Sequence, residues 1–354
     1  MYVITMNNYL IIIFIFIFLL LINNKTNTNK EKFGLTNVKS NNYYKELKRR
    51  NLKVIGKKII NTENNKIVYH SKMNNPESAR ISNDKSITSR ILQINNIPIP
   101  NYVSFNIKEN SLKDLEKSII NKKLNYPLVL KPTSGQQGKG VILDIRNFNE
   151  LKKNINKLSK TLLKKNNRSI IDTTKFIIEE QKQGNSFRIY IIYNKILDIY
   201  TTKKSSVIGT GKHNVLQLIN IFNKKADNKT VFPIKYDKRL ILSQISLKSI
   251  VPKNKKIIVS NIATRRNGGK ISKVELKNVH PDNIKMFKKA QKVLGLTKSG
   301  IDYITNDISI SWKKGNGFVN EVNDGPAFEG HLTVNKNNKK RFYDRLAKIL
   351  KSKK

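Results

Sequence analysis

Residues 128–141 read LVLKPTSGQQGKGV. The apolar opening fits a buried strand over residues 126–131, and residues 141–145 fit its return strand. Between them Gly135, Gly138 and Gly140 carry no Cβ, so the loop can approach a polyphosphate closely and turn several N–H groups onto its oxygens. Lys131 and Lys139 can neutralise charge, and Thr133 and Ser134 can donate hydrogen bonds. The spacing is neither GxxxxGK[ST] nor a GxGxxG that opens a helix. Its strand–loop–strand setting predicts a flap that folds over a nucleotide. A plain hairpin turn with exposed lysines has the same local sequence.

Acidic residues further along weigh on the first reading. The chain holds 24 Asp plus Glu against 69 Lys plus Arg. Even so, Glu179 and Glu180 close an apolar run, Asp302 sits in Gly-Ile-Asp, and Glu321 and Asn323 stand in EVN just before Asp324-Gly325-Pro326. Two apart on a strand, Glu321 and Asn323 face the same way, and Asp302 can meet them from a neighbouring strand end. Hard oxygen donors suit Mg²⁺, which commonly bridges substrate phosphates.

Around these segments helices and strands interleave without an internal repeat, so the class is α/β (α+β). Helices are expected over residues 43–50, 84–95 (N-cap Asn83 or Ser82), 112–122, 148–165, 238–247, 282–294 and 341–350. Residues 206–223 open with a glycine turn and continue as a helix. Strands are expected over 54–60, 66–69, 175–180, 187–193, 257–261, 303–304 and 318–322.

With 354 residues the chain is long enough for two or three domains, and it has no cysteine, which excludes disulfides, thiolate zinc sites and a cysteine nucleophile. The net charge of +45 is extreme. It fits a polyanionic partner; it also fits Lys, Asn and Ile inflated together, as translation of an AT-rich genome produces. The lysines are spread throughout and no aromatic-plus-basic RNA motif stands out, so no specific nucleic acid is expected.

Residues 9–22, YLIIIFIFIFLLLI, are continuously apolar. No Lys or Arg precedes them and no Ala-x-Ala follows, so an uncleaved membrane anchor is expected rather than a signal peptide. Lys25, Lys30 and Lys32 on the C-terminal side then put the remainder in the cytosol. Signal cleavage, with a secretory or virion-associated protein, is the alternative.

In order, NDKSITSRILQINNIPIP, YPLVLKPTSGQQGKGV, FIIEEQKQGNSFRIYII, SSVIGTGKHNV, SNIATRRNGG, HPDN, GIDYI and FVNEVNDGPAFEGHL resemble the ATP-grasp superfamily. The likeness is to the subgroup containing cyanophycin synthetase, the ligase half of bifunctional glutathione synthetase and ribosomal S6-type glutamate ligases. It implies two α+β lobes gripping ATP over residues 83–350: a helical part at 83–125, an ATP-binding lobe at 126–183 and a metal and substrate lobe at 184–350. A small α/β region at 33–82, a linker at 24–32 and a hydrophobic N-terminal helix within 1–23 would precede them.

The resemblance also implies residue roles. Lys85 and Lys131 would contact ATP, residues 134–140 would form the phosphate-covering loop, and Glu179, Glu180 and Gln181 would line the adenine hinge. Arg188, Lys204, Asn261 and Arg265 would face phosphates and substrate, and Asp302, Glu321 and Asn323 would hold Mg²⁺, which Mn²⁺ could replace. Two departures stand out. Ser186 occupies a ribose position usually held by Asp or Glu. The loop after Asn261, commonly Ser-Thr-Gly-Gly, here runs Thr264-Arg265-Arg266-Asn267 before Gly268-Gly269.

The implied reaction joins a small-molecule or peptide carboxylate to an amine through an acyl phosphate. The substrate pair stays open, and a homo-oligomer is compatible with the relatives. His213, in a glycine turn, and His280, at a helix start, are not expected to act as bases. A kinase of anionic small molecules and a membrane-tethered nucleic-acid-binding protein with a vestigial ATP site are the alternative functions.

Overall fold

The computed structural model describes residues 41–352 except 57, 71, 136–139, 164–173, 228–230, 316, 327 and 335–338. The apolar stretch at 9–22 and the linker lie outside the described residues. Among the described residues no helix is long and apolar enough to cross a membrane.

After the helix Asn41–Lys48, strands β1 (Leu52–Ile55), β2 (Lys58–Asn61) and β3 (Ile67–His70) form an antiparallel meander. The single strand expected over 54–60 is thus two, split at Gly56, whose φ is +55°. Leu47, Leu52, Ile59 and Val68 share a buried core with Leu346 and Leu350 of the closing helix Lys339–Lys351, so the N-terminal region is packed onto the C-terminal end of the chain.

Two helices follow, Pro76–Asn83 and Lys85–Ile94. The second is capped by Asp84, whose carboxylate accepts from the N–H groups of Ser86 and Ile87. Neither Ser82 nor Asn83 is the cap, because both lie inside the preceding helix, which Asn75 caps and Pro76 begins.

The first lobe is a four-stranded antiparallel sheet of β4 (Tyr102–Asn106), β5 (Leu128–Pro132), β6 (Ile142–Ile145) and β7 (Lys175–Glu180), in the order β4-β7-β5-β6. The helices Leu112–Asn121 and Phe148–Leu163 supply Leu115, Ile119, Leu151 and Ile155 to its core, against Leu128, Leu130, Phe176 and Ile178. These alternate positions of β5 and β7 point to the helices, so Lys131 and Glu179 point the other way.

Next come β8 (Asn185–Ile192), β9 (Lys195–Thr202), a short pair β10 (Ser206–Ile208) and β11 (Lys256–Ile258), then β12 (Ile271–Val274), β13 (Lys298–Thr305) and β14 (Phe318–Asn323). The pair β10–β11 is a separate two-stranded sheet packed with the helices Val215–Lys224 and Lys238–Leu242. That second helix is shorter than the expected 238–247, ending where Ser243 caps it. The other five strands form an antiparallel sheet in the order β12-β9-β8-β13-β14. Phe187, Ile189 and Ile301 face the core built with Met286, Phe287 and Ala290 of the helix Pro281–Val293. Alternation then turns Arg188, Tyr190 and Asp302 to the opposite face.

Candidate active site

Register lines up the polar face of the five-stranded sheet. Glu321 lies opposite Asp302, Asp302 opposite Arg188, and Arg188 opposite Tyr200. One row of directly opposed side chains therefore crosses four strands. One step along, Asn323 lies opposite Gly300. Ser186 sits two residues before Arg188 on the same face of β8, opposite Thr202.

Arg188 grips Asp302 with both ends of its guanidinium, Nη2 at 2.9 Å from Oδ2 and Nε at 2.6 Å from Oδ1. Asn323 Nδ2 lies 3.4 Å from Asp302 Oδ2. Burial pushes the Asp302 carboxyl up, to about 6; the Arg188 charge pulls against this, and the Glu321 charge adds to it. Burial would lower the Arg188 pKa, yet the charge of Asp302 raises it, so this guanidinium stays protonated.

The first lobe meets this row through two lysines. Lys85 opens its helix with its backbone N–H on the Thr133 carbonyl at 2.9 Å. Its Nζ donates to the Gly135 carbonyl at 2.9 Å and lies 3.6 Å from Glu321 Oε1. One ammonium thus touches the glycine loop and the acidic strand together. Lys131 is ion-paired with Glu179 and donates to Asn320 Oδ1 at 2.9 Å, joining β5 to β14. A groove lined by Lys85, Ser89, Lys131, Glu179, Asn320 and Glu321 runs between them.

The loop itself is described at its two ends. Gly140 has φ +74°, and a Cβ there would come 2.8 Å from Pro132 Cγ, so glycine is needed for the chain to turn back into β6. Gly135 and Ser134 lie at the other end; Gly138 and Lys139 lie outside the described residues.

At the hinge, Glu180 is buried and its carboxylate is held by the frame. Asn125 donates its N–H at 3.0 Å and Nδ2 at 3.1 Å, Lys182 Nζ lies at 2.6 Å and Asn101 Nδ2 at 3.3 Å. Burial would raise its pKa, but these donors, Lys182 first, hold it below the usual carboxylate range. Gln181 donates its N–H to the Pro127 carbonyl at 2.9 Å and accepts from the Asp144 N–H at 2.6 Å. Glu179 and Glu180 are neighbours with different tasks: the first faces the cleft lysine, the second braces the turn.

The remaining expected residues spread around the second lobe. Lys204 is half-buried just past β9, and burial lowers its pKa. Arg265 lies in a single 3₁₀ turn, Arg265–Asn267, with its guanidinium carbon 4.9 Å from the centre of the Phe232 ring. Asn261 Nδ2 lies 3.4 Å from Asp237 Oδ2, the residue that caps Lys238–Leu242. Among the described residues no hydrogen bond links Asn261 to the carboxylates of β13 and β14. His280 caps its helix, Nδ1 accepting from the Asp282 N–H at 3.1 Å.

Among the described residues no three His, Cys, Asp or Glu side chains gather into a metal-binding group. The donor set here is instead two carboxylates and an amide oxygen, Asp302, Glu321 and Asn323, two of them opposed across one strand pair. Hard oxygen donors in this number fit a divalent cation that takes its other ligands from phosphates and water.

Two residues of the site carry no sequence signal. Asn320 is the extra residue of a β-bulge: Asp302 opposes Glu321 while Tyr303 opposes Val319, leaving Asn320 between them to meet Lys131. Tyr200 joins the row from β9, a strand not expected from the sequence. Its ring packs edge-on against His331 at 4.7 Å, and His331 Nδ1 lies 2.8 Å from Asp198 Oδ2.

Two antiparallel lobes, with lysines of the first reaching an acidic strand of the second across a glycine loop, make up an ATP-grasp fold. The known proteins that this chain resembles agree. A family model described as sugar-transfer associated ATP-grasp matches residues 64–204. The cyanophycin synthetase of Synechocystis sp. is 28% identical over 263 residues, which cover 70% of this chain and 28% of that protein. The glutathione biosynthesis bifunctional protein of Clostridium perfringens is 23% identical over 285 residues, covering 77% and 34% respectively. The bifunctional glutathione synthetase structure from Pasteurella multocida aligns at 18% identity with a TM-score of 0.47, over 81% of this chain and 39% of that one. The family-model and sequence matches bear out the ATP-grasp resemblance drawn from the motifs, and the chain spans 28% of the length of the Synechocystis relative.

Proposed function

We propose that this chain is an ATP- and Mg²⁺-dependent carboxylate–amine ligase that forms an amide through an acyl phosphate. The observation that carries the reading is Lys85, whose ammonium contacts both the Gly135 carbonyl of the loop and Glu321 of the acidic strand. A triphosphate in that groove would lie between Lys85 and Lys131 on one side and the Asp302 row on the other.

The chain's own groups suit phosphoryl transfer, in which positioning and charge neutralisation provide most of the catalysis. Lys85, Lys131 and Arg188 would neutralise phosphoryl oxygens. Asp302, Glu321 and Asn323 would hold the divalent cation, which when bound draws charge from the phosphates. The loop at 134–140, closed over the groove, would keep water from the acyl phosphate. Arg188 would orient the reacting carboxyl from its place beside Asp302.

Host extract incubated with purified chain, ATP and Mg²⁺, followed by mass spectrometry, tests this. The expected result is ADP together with a product equal in mass to an acid plus an amine less water. ATP binding without ADP formation would overturn it, and a product heavier by one phosphoryl group would make the chain a kinase instead. Asn323→Ala is expected to lose turnover while keeping its far-UV circular dichroism.

We infer also that residues 9–22 anchor the chain in a membrane with the ATP-grasp region cytosolic, supported by the unbroken apolar run and the lysines that follow it. Recovery in the membrane fraction is expected; a mature chain beginning after Asn23 would overturn it.

A further inference from the structure

Asn74 lies between β3 and the helix Pro76–Asn83, and it is buried. Backbone groups fill all four hydrogen-bonding places of its side-chain amide. Nδ2 donates to the Lys298 carbonyl at 2.9 Å and to the Asp324 carbonyl at 2.8 Å. Oδ1 accepts from the N–H groups of Thr297 at 2.8 Å and Lys298 at 2.9 Å.

These partners sit where the strand pair that carries the acidic row comes apart. The last pair of β13 and β14 is Gly300 with Asn323, while β13 runs back to Lys298 against β8. Lys298 therefore turns both its backbone groups to an edge that β14 has left, and the Asn74 amide takes the place of the departed strand. Asp324, the residue after Asn323, is tied to the same amide. Asn74 is itself held on both sides. Met73 packs against the core shared with the closing helix, and Asn75 caps the next helix, its Oδ1 accepting from the Glu77 N–H at 2.8 Å.

Asn323 ends its strand, and strand ends fray unless the chain beyond them is fastened. Its side chain sits at the limit of contact, with Nδ2 3.5 Å from the Gly300 carbonyl and 3.4 Å from Asp302 Oδ2. A small shift of the exit from β14 would part it from Asp302. The helix Pro76–Asn83 packs against β14 and leads to Lys85, which reaches Glu321. The acidic strand is thus tethered from both ends of one helix, by Lys85 at Glu321 and by Asn74 just past Asn323.

We propose that Asn74 is a positioning residue for the cation site: it splices β13 to the exit of β14 and so holds Asn323 beside Asp302. This rests on the ligase reading, which gives Asp302, Glu321 and Asn323 to the divalent cation. Removing an outer hydrogen bond that holds a metal ligand in place typically weakens metal binding by about 10- to 100-fold.

Calorimetric titration of the full chain with AMP-PNP, once in Mn²⁺ and once in EDTA, tests the role. The ratio of the two affinities measures the coupling of cation to nucleotide. In Asn74→Ala that ratio is expected to fall about tenfold or more, with the affinity in EDTA, which depends on Lys85 and Lys131, unchanged. Asn74→Asp keeps acceptors for Thr297 and Lys298 but offers no N–H to Asp324, and the same fall is expected. Met73→Ala, which loosens the adjoining core and leaves the amide in place, is expected to keep the wild-type ratio. Circular dichroism at the titration temperature reports whether each variant is folded. An unchanged ratio in Asn74→Ala or Asn74→Asp, an equal loss of affinity in EDTA, a matching fall in Met73→Ala, or failure of both Asn74 variants to fold would each overturn the role. A wild-type chain whose AMP-PNP affinity Mn²⁺ does not raise would overturn the ligase reading, and this role with it.

Discussion

Lys131 joins two functions in one side chain. It neutralises buried Glu179 and ties β5 to Asn320 of β14. Lys131→Met would strand Glu179 as an unpaired carboxylate with little exposure, and losing one partner of a buried pair typically costs about 3–5 kcal/mol. We expect a fall of that order in unfolding free energy by urea titration, and loss of AMP-PNP binding in calorimetry. Lys298 offers a separate reading of the fold. It is buried beside Tyr69, with Nζ 3.4 Å from the phenol oxygen, and burial lowers its pKa to about 8 from 10.5 although Asp324 opposes the shift. Below pH 8 both folded and unfolded chains hold the proton, and the folded one bears the burial penalty. Between pH 8 and 10.5 only the unfolded chain holds it, so stability rises with pH, by up to about 3 kcal/mol. Urea midpoints measured across that window should climb, and Lys298→Met should remove this part of the climb. At this scale the sequence was informative wherever residue type carried the chemistry: Lys131, Asp302 and Glu321 could be singled out by charge and spacing, and Lys85 by the resemblance of the motif around it. Asn320 could not, because a bulge decides its direction and nothing in the local sequence announces the bulge.

Among elements, the antiparallel pair β13 and β14 does most to shape the cleft. Gly300 on β13 lies under Arg188 and Pro326; a Cβ there would come 2.6 Å from Pro326 Cβ and 3.2 Å from Arg188 Nη1. Gly300→Ala must therefore displace either the rigid proline or the arginine that grips Asp302. We expect a cost of about 1–3 kcal/mol in stability, as for other overpacked sites, and a larger proportional loss of ADP formation than of AMP-PNP binding. Strand β9 shows why some elements were not legible. The hairpin from β8 turns at Tyr193-Asn194, both with positive φ. That conformation is usually announced by Asn-Gly or Asp-Gly, and Tyr-Asn announces nothing. Residues 195–202, KILDIYTT, have strand-forming composition, but without an announced turn nothing separates them from β8, and Tyr200 disappears from view. The short helix Pro76–Asn83 was legible in principle, through Asn75 as cap and Pro76 at the first helical position. It was missed because polar residues hide its period.

For the molecule as a whole, the net charge of +45 repels itself in the folded state. Raising NaCl from about 0.05 M to about 0.5 M shortens the screening length several-fold. We expect the thermal midpoint to rise over this range, measured by circular dichroism, and to fall if the repulsion is already balanced by local pairs. The amino-acid sequence by itself determined the class of fold, the glycine loop, its lysines and the three oxygen donors. These depend on residue type, hydrophobic period and order along the chain, all of which are local. Only the tertiary structure decided that Lys85 touches loop and acidic strand together, that Asn320 and Tyr200 enter the row, and that Glu180 is spent on bracing the hinge. Those outcomes depend on strand register and on which distant segments come into contact, and both are set by packing across the sheets rather than by any neighbouring residue.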